Sequence, residues 1–173
     1  MRLVYGGGTN GLMGEVARAL VALSGPDAVH GIIPEPLLPE KSGKSVIDES
    51  VYGKTTVVKS MHERKKTMVL EVLKGGHGGG FVALSGGYGT FEELMEVATW
   101  NQLGKHSMPI VLLNVGGYWD GLLNWTANAV REKFVRPGNS SIIVAATTAE
   151  GVFDLLKTYK PATSRFRLSW ERL

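Results

Sequence analysis

The fold is decided by the stretch Leu84-Ser85-Gly86-Gly87-Tyr88-Gly89-Thr90-Phe91-Glu92-Glu93. An apolar run begins at Phe81, just before the glycines, and a pattern of helical period runs from about Thr90 to Leu103. Glycines let the backbone turn tightly and approach an anion closely. A helix N-terminus offers unpaired N–H groups and partial positive charge. The stretch therefore predicts a strand–loop–helix unit whose loop is either only a tight turn or a phosphate site.

The same alternation of strand and helix extends along the chain. We expect strands at 3–5, 29–34, 55–58, 81–84, 110–113 and 142–145, and helices at about 11–23, 60–73, 90–103, 119–134 and 149–159. This order predicts an α/β fold, a Rossmann-like doubly wound parallel sheet with helices on both faces. Ligands of such folds bind beyond the carboxyl ends of the strands. We expect loops at 40–54 and 75–80, one domain over 1–160 and a C-terminal tail over 161–173.

Composition excludes several classes of protein. The 173 residues include no cysteine, which excludes disulfides, thiolate nucleophiles and cysteine-ligated zinc. The formal net charge of +3 suits small anions, and because Lys and Arg form no long run, we expect no nucleic-acid partner. No apolar stretch reaches the roughly 18 residues that span a bilayer. The segment before the first glycines is too short for a secretory signal. We expect a cytoplasmic protein without a membrane partner.

A second motif, Ser60-Met61-His62-Glu63-Arg64-Lys65-Lys66, also stands where a strand ends and a helix begins. An arginine there can hold a phosphate or carboxylate with two parallel hydrogen bonds. The alternative is a solvated basic first turn. Positive charge at a helix N-terminus opposes the helix dipole, so this placement costs stability and favours a functional role.

A third motif, from Tyr5 to Gly14, is again a strand, a glycine loop and a helix. Its spacing is not G-x-G-x-x-G, and Ile33-Pro34 stands where a ribose-binding acid would end the second strand, so we expect no redox nucleotide site. The first motif also suggests a purely structural role for Glu93. It stands three residues after Thr90, which is the spacing of a capping box at a helix N-terminus.

Other chemistry-bearing residues give weaker signals. His30, within an apolar strand, is expected in the core, and the remaining histidines lack metal-ligand spacing, so we expect no metal site. Trp100, Trp119 and Trp125 fall at helical positions and are expected in the core or an interface.

Together the segments resemble the LOG ("lonely guy") family of cytokinin-activating phosphoribohydrolases, whose members are often labelled lysine decarboxylases. The likeness covers the chain from Arg2 to about Tyr159 in the right order. It rests on Tyr5-Gly-Gly-Gly…Gly11-Leu-Met-Gly14, Gly31-Ile-Ile-Pro-Glu35, Ser60-Met-His-Glu-Arg-Lys65, Gly86-Gly-Tyr-Gly-Thr-Phe-Glu-Glu93, Thr99-Trp-Asn-Gln-Leu-Gly104 and Leu113-Asn-Val-Gly-Gly-Tyr118.

The resemblance implies a reaction and a set of site residues. Arg64 and Glu93 match the family's catalytic pair. The residues implied to bind substrate are Gly7, Gly8, Met61, Lys65, Gly86, Gly87, Tyr88, Gly89, Thr90, Glu92 and Thr99. The substrate would be AMP or N6-prenylated AMP, hydrolysed to free base and ribose 5-phosphate. The family's members are typically homodimers and need no cofactor.

The sequence also departs from the family's pattern. The family normally begins with one more strand and helix, whose absence here should expose strand edges and apolar surface. Ser85 replaces the usual proline, which should loosen the turn, and Gly75–Gly80 is longer than usual. The alternatives to an active hydrolase are a non-catalytic nucleotide carrier, similar to molybdenum-cofactor carriers, and an inactive truncated form.

Overall fold

The structure, a computed structural model, describes residues 1–38, 40–41, 44–45 and 47–170. The chain divides into two compact units, one from Met1 to Val72 and one beginning at Leu73. The single domain expected over 1–160 stays a prediction. Within the described residues, no helix has both the length and the apolar character that crossing a membrane requires.

The first unit contains a three-stranded parallel sheet. Its elements are β1 (Leu3–Tyr5), α1 (Gly11–Ser24), β2 (Val29–Pro34), β3 (Glu40–Lys41), β4 (Lys44–Ser45), α2 (Glu49–Tyr52), β5 (Lys54–Val58) and α3 (Met61–Lys74). The sheet has the order β1-β2-β5, with Leu3 opposite Val29 and His30 opposite Lys54. Parallel neighbours need a crossover connection, which α1 supplies between β1 and β2. Ala17 of α1 is fully buried against the sheet residues Tyr5 and Val29.

The second unit contains another three-stranded parallel sheet. Its elements are β6 (Phe81–Ala83), α4 (Tyr88–Gln102), β7 (Ile110–Leu113), α5 (Asp120–Arg131), β8 (Ile143–Ala146) and α6 (Ala149–Thr158). The order is β6-β7-β8, and the central strand β7 contributes the fully buried Ile110, Val111 and Leu112. A central parallel strand covered on both faces is apolar throughout, which explains the lack of alternation in β7.

The predicted α/β fold of parallel strands flanked by helices is confirmed, and two details are corrected. The six parallel strands lie in two sheets of three rather than in one, because β1 and β6 each pair with a neighbour on one side only. The loop predicted over 40–54 contains α2 and the short antiparallel pair β3–β4. Local capping explains α2, since the Asp48 side chain accepts a hydrogen bond from the Ser50 N–H at 3.0 Å and Gly53 ends the turn at φ 83°.

The segment after α6, unassigned from its sequence, packs on the C-terminal end of α4. The Phe166 N–H donates to the Gln102 carbonyl at 2.8 Å, and Trp170 Nε1 donates to the Leu103 carbonyl at 3.0 Å. The last carbonyls of a helix have no partner within it, so these bonds cap α4. Residues 171–173 of the predicted tail lie outside the described residues.

Candidate functional site

The glycine loop of the second unit leads from β6 into the N-terminus of α4. Gly87 is the N-cap residue and forms no side-chain cap, and the Phe91 N–H is the one that bonds to the Gly87 carbonyl, at 3.0 Å. The N–H groups of the first turn have no carbonyl acceptor within the helix, because no helical residue lies four positions before them. Apart from the adjacent residues and the backbone of the helix itself, no atom lies within 4 Å of the position that a Cβ would take at Gly87 or Gly89. The loop therefore leaves room for an anion at a helix N-terminus, where N–H groups and the dipole favour negative charge.

Contacts within the unit hold the start of this loop in place. The Tyr118 hydroxyl donates to the Gly86 carbonyl at 2.5 Å. A Cβ at Gly86 would lie 2.2 Å from Thr90 Oγ1, so only glycine fits where the loop folds back on its helix. The turn that carries Tyr118 is ordered by Asn114, whose Oδ1 accepts a hydrogen bond from the Trp119 N–H at 2.7 Å.

The capping box considered for Thr90 and Glu93 is wrong. Helix α4 begins at Tyr88, two residues before Thr90, so Thr90 is the third helical residue rather than the cap. Three glycines let the backbone enter the helix earlier than the capping pattern indicates. Glu93 lies half-buried in the second turn. The structural alternative for this carboxylate, as a capping partner of Thr90, is thereby removed.

Arg64 of the first unit is held by backbone carbonyls. Only 8% of its surface is exposed, although it lies in the first turns of α3. Its Nε donates to the Ile32 carbonyl at 3.0 Å, and its Nη2 donates to the Gly6 carbonyl at 3.4 Å. The alternative of a solvated basic turn is therefore wrong for Arg64. A buried guanidinium needs such acceptors, because leaving water without hydrogen bonds is costly for a charged group.

Ser60 and Glu63 offset the cost of placing basic residues at the start of α3. The Glu63 N–H donates to Ser60 Oγ at 3.1 Å, and the Lys59 N–H donates to Glu63 Oε2 at 3.0 Å. This is close to a capping box, which satisfies two N–H groups at the helix start. The Glu63 carboxylate also interacts favourably with the helix dipole.

The other predicted residues of the first unit lie in the glycine loop after β1 and in the first turns of α3. Gly7 is buried with φ 74°, and a Cβ there would lie 2.8 Å from Ile33 Cβ. Gly8 is half-buried, Met61 is exposed at the start of α3, and Lys65 is half-buried. Gly7 is thus required by the fold itself, because both its conformation and its packing exclude a side chain.

In the second unit, the structure groups most of the predicted residues and separates one. Gly86 to Thr90, with Glu92 and Glu93, occupy the loop and the first two turns of α4. Thr99 lies nine residues after Thr90 in the same helix, which corresponds to about 13.5 Å along the axis and the opposite side of the helix. The helix alone therefore does not bring Thr99 to the glycine loop.

Among the described residues, no group of three or more His, Asp or Glu side chains is arranged to hold a metal ion. His30, which was expected in the core, is only half-buried, and its two ring nitrogens lie 2.9 Å from a Glu71 carboxylate oxygen and 2.8 Å from Thr56 Oγ1. Of the tryptophans, Trp119 is buried and Trp125 is exposed on α5.

Comparison with known proteins identifies the family. A family model described as possible lysine decarboxylase matches residues 13–156. The cytokinin riboside 5′-monophosphate phosphoribohydrolase LOG3 of Arabidopsis thaliana is 45% identical over 172 residues, which cover 98% of this chain and 74% of that protein. The chain belongs to the LOG family. The family predicted from the ordered motifs is confirmed.

Further relatives of this LOG-family chain differ in length. The probable cytokinin riboside 5′-monophosphate phosphoribohydrolase LOGL3 of Oryza sativa subsp. japonica is 44% identical, over 98% of this chain and 75% of that protein. A bifunctional cytokinin biosynthesis protein of Fusarium pseudograminearum is 54% identical, over 95% of this chain and 35% of that protein. The chain therefore spans about a third of the Fusarium relative and about three quarters of each of these two plant relatives. The predicted class of enzyme, an N-glycosidic hydrolase, agrees with the names of the plant relatives.

Sequence reasoning missed two contacts made by predicted site residues, one in each unit. The Gly6 carbonyl accepts a hydrogen bond from Arg64, a contact that the run of three glycines does not indicate. Tyr118 contacts Gly86, although the two lie 32 residues apart. A signal for Tyr118 was present, because it ends one of the six segments that carry the resemblance.

Proposed function

We propose that this protein hydrolyses the N-glycosidic bond of adenine-type nucleoside 5′-monophosphates, releasing the free base and ribose 5-phosphate. The observation that carries the proposal is the identity of 45% with an Arabidopsis enzyme named for this activity, over 98% of the chain. The family's label as a decarboxylase finds no support in the sequence, which offers no Schiff-base lysine motif.

The glycine loop is proposed to bind the 5′-phosphate of the substrate. Gly86 to Thr90 combine an open helix N-terminus with space above Gly87 and Gly89. Anchoring the phosphate there fixes the ribose relative to α4, and such positioning contributes much of the rate enhancement of many enzymes. Met61, Lys65, Gly7, Gly8, Tyr88 and Glu92 are proposed to complete the substrate contacts, together with Thr99.

Glu93 is proposed as the catalytic carboxylate. Breaking the bond between C1′ of the ribose and the base leaves an oxocarbenium-like sugar, as in other glycosidic cleavages. A carboxylate beside that carbon stabilises the developing positive charge and takes a proton from the attacking water. The water oxygen bonds to C1′, the base leaves with the electron pair of the broken bond, and the proton taken from water is passed to the departing base. The half-buried position of Glu93 in α4 supports this role, because partial burial strengthens the attraction between the carboxylate and the positive charge on the sugar.

Arg64 is proposed as the catalytic cation that orients the reacting groups. Its guanidinium is buried and held by two backbone carbonyls, so its charge has a defined position in the first unit. A charge already in place requires no reorganisation during the reaction, which is how preorganised groups stabilise transition states.

The protein is further proposed to be a cytoplasmic homodimer. The LOG-family membership supports the dimer, and so do the exposed apolar side chains Leu12, Met13 and Val16 on α1, since exposed apolar patches often mark interfaces.

The test is chromatographic. Purified protein is incubated with AMP and with isopentenyladenosine monophosphate, beside Glu93→Gln and the control Glu150→Gln, which alters an exposed glutamate in the first turn of α6. We expect free base from the wild type and the control, and a loss of about 100- to 10,000-fold in Glu93→Gln. Nucleotide binding without any release of base by the folded wild type would contradict the hydrolase and favour a carrier.

A further inference from the structure

The guanidinium of Arg64 occupies the space that a side chain at residue 6 would fill. A Cβ at Gly6 would lie 1.9 Å from Nη2 of Arg64, 3.0 Å from Cζ and 3.5 Å from Nε. Atoms cannot approach this closely without a bond. Arg64 can therefore lie where it does only because residue 6 is glycine.

The backbone does not explain glycine at this position. Gly7 has a φ of 74° and packs on Ile33, and Gly14 would bring a Cβ within 2.1 Å of the Thr9 carbonyl oxygen. Those two glycines are required by the chain fold. Gly6 is not among the residues with positive φ, so its backbone suits any residue. The three atoms nearest to a Cβ at residue 6 all belong to the guanidinium of Arg64.

We propose that Gly6 is a positioning residue for Arg64: by carrying no side chain, it admits the guanidinium to the carbonyls of Ile32 and Gly6. The role of Arg64 in hydrolysis rests on the proposed function, whereas the positioning itself does not. The guanidinium stands at the end of a flexible side chain. A methyl group at residue 6 therefore displaces the guanidinium of Arg64 and leaves the backbone conformation unchanged. The expected consequence is a split between activity and stability: a side chain at residue 6 lowers activity and leaves stability nearly unchanged.

The variant Gly6→Ala tests this split. We expect kcat/KM to fall about 100-fold, because displacement of a catalytic group by about 1 Å has effects of this size, while the melting temperature changes by no more than a few degrees. The matched control is Gly121→Ala on α5, where no atom lies within 4 Å of the added Cβ and φ is not positive. The control should keep wild-type kcat/KM. Wild-type kcat/KM in a folded Gly6→Ala would overturn the proposal.

A double-mutant cycle separates positioning from a general effect on the loop. In the background Arg64→Ala, no guanidinium remains to be displaced, so adding Gly6→Ala should change the residual kcat/KM less than twofold. A loss of about 100-fold that persists in that background would show that Gly6 acts independently of Arg64, and would also overturn the proposal.

A spectroscopic measurement keeps the proposal testable without turnover. The Nε–Hε proton of Arg64, assigned by its loss in Arg64→Lys, should exchange slowly with water in the wild type and in Gly121→Ala, because it is buried and bonded to the Ile32 carbonyl. It should exchange rapidly in Gly6→Ala. Rapid exchange in the wild type would overturn the proposal even if Gly6→Ala did not fold. If the wild type shows no hydrolysis but slow exchange, the proposed function fails and the positioning role stands.

Discussion

The hydroxyl of Tyr118 donates a hydrogen bond to the carbonyl of Gly86, and so joins the turn before α5 to the glycine loop before α4. The two residues follow adjacent parallel strands, β7 and β6. The carboxyl ends of parallel neighbours lie at one edge of the sheet, which is where ligands of such folds bind. This bond therefore joins the proposed phosphate loop, which follows β6, to the turn that follows the adjacent strand β7.

Removing this bond should weaken substrate binding more than it lowers stability. In Tyr118→Phe we expect KM for AMP to rise about three- to tenfold, since a typical hydrogen bond contributes about 1 kcal/mol, with a smaller change in kcat. Steady-state kinetics measure both. Tyr5→Phe is the control, because it removes a comparable bond, from the Tyr5 hydroxyl to the Tyr52 carbonyl, in the first unit. An equal rise of KM in both variants would contradict a specific role for Tyr118.

Stability should fall as the pH drops below the ordinary pKa of histidine, because of His106. Burial lowers the pKa of His106 from 6.5, and although its hydrogen bond to the Val97 carbonyl opposes this, the nearby Arg165 charge adds to it. Below pH 6.5 the unfolded chain therefore binds more protons than the folded one, and folding stability is lost until the pH passes the folded pKa. Above pH 6.5 His106 is neutral in both states, and its protonation no longer reduces the folding stability.

The variant His106→Gln measures this contribution. Denaturant unfolding between pH 5 and pH 7.5 should show a steeper loss of stability with falling pH in the wild type than in the variant, whatever their difference at pH 7.5. The control His62→Gln changes an exposed histidine of α3 and should keep the wild-type slope. Parallel curves for wild type and His106→Gln would contradict the prediction.

His30 and Glu71 should be energetically coupled. The His30 ring bridges Thr56 of β5 and Glu71 of α3 from its position in β2, and both of its nitrogens are used. A double-mutant cycle with His30→Ala and Glu71→Ala should give a coupling free energy of unfolding of about 1 kcal/mol. A second cycle with the exposed Glu15 of α1 in place of Glu71 should give a value near zero. Coupling of equal size in both cycles would rule out a specific contact.

The segment after α6 should stabilise the second unit through Trp170. The ammonium of Lys105 lies 4.7 Å from the ring centroids of both Trp100 and Trp170. The indole N–H of Trp170 also caps α4. Trp170→Leu removes one cation–π contact and one hydrogen bond, and should lower the free energy of unfolding by about 1 to 2 kcal/mol. The control is Trp125→Leu, which alters an exposed tryptophan of α5 and should lower the free energy of unfolding less. Thermal or urea unfolding measures both variants.

Much of the fold was predictable because it depends on local patterns. The strands β1, β2 and β7 begin and end where the apolar runs predicted, and α3 differs from its prediction by one residue at each end. The start of α4 was predicted two residues late. The spacing of Thr90 and Glu93 indicated a capping box, whereas the actual N-cap residue, Gly87, has no side chain by which the sequence could show it. The division of the strands into two sheets was not predictable, because pairing between strands distant in sequence leaves no periodic pattern.

The sequence by itself determined the order of the elements, the glycine loop before α4 and membership in the LOG family, because periodicity and ordered motifs are properties of neighbouring residues. Only the tertiary structure decided that Arg64 is buried, that its guanidinium takes the side-chain space of Gly6, and that Tyr118 holds Gly86. These relations join residues 58 and 32 positions apart. They arise from the packing of separate elements, in which the shape of one residue decides what another can reach.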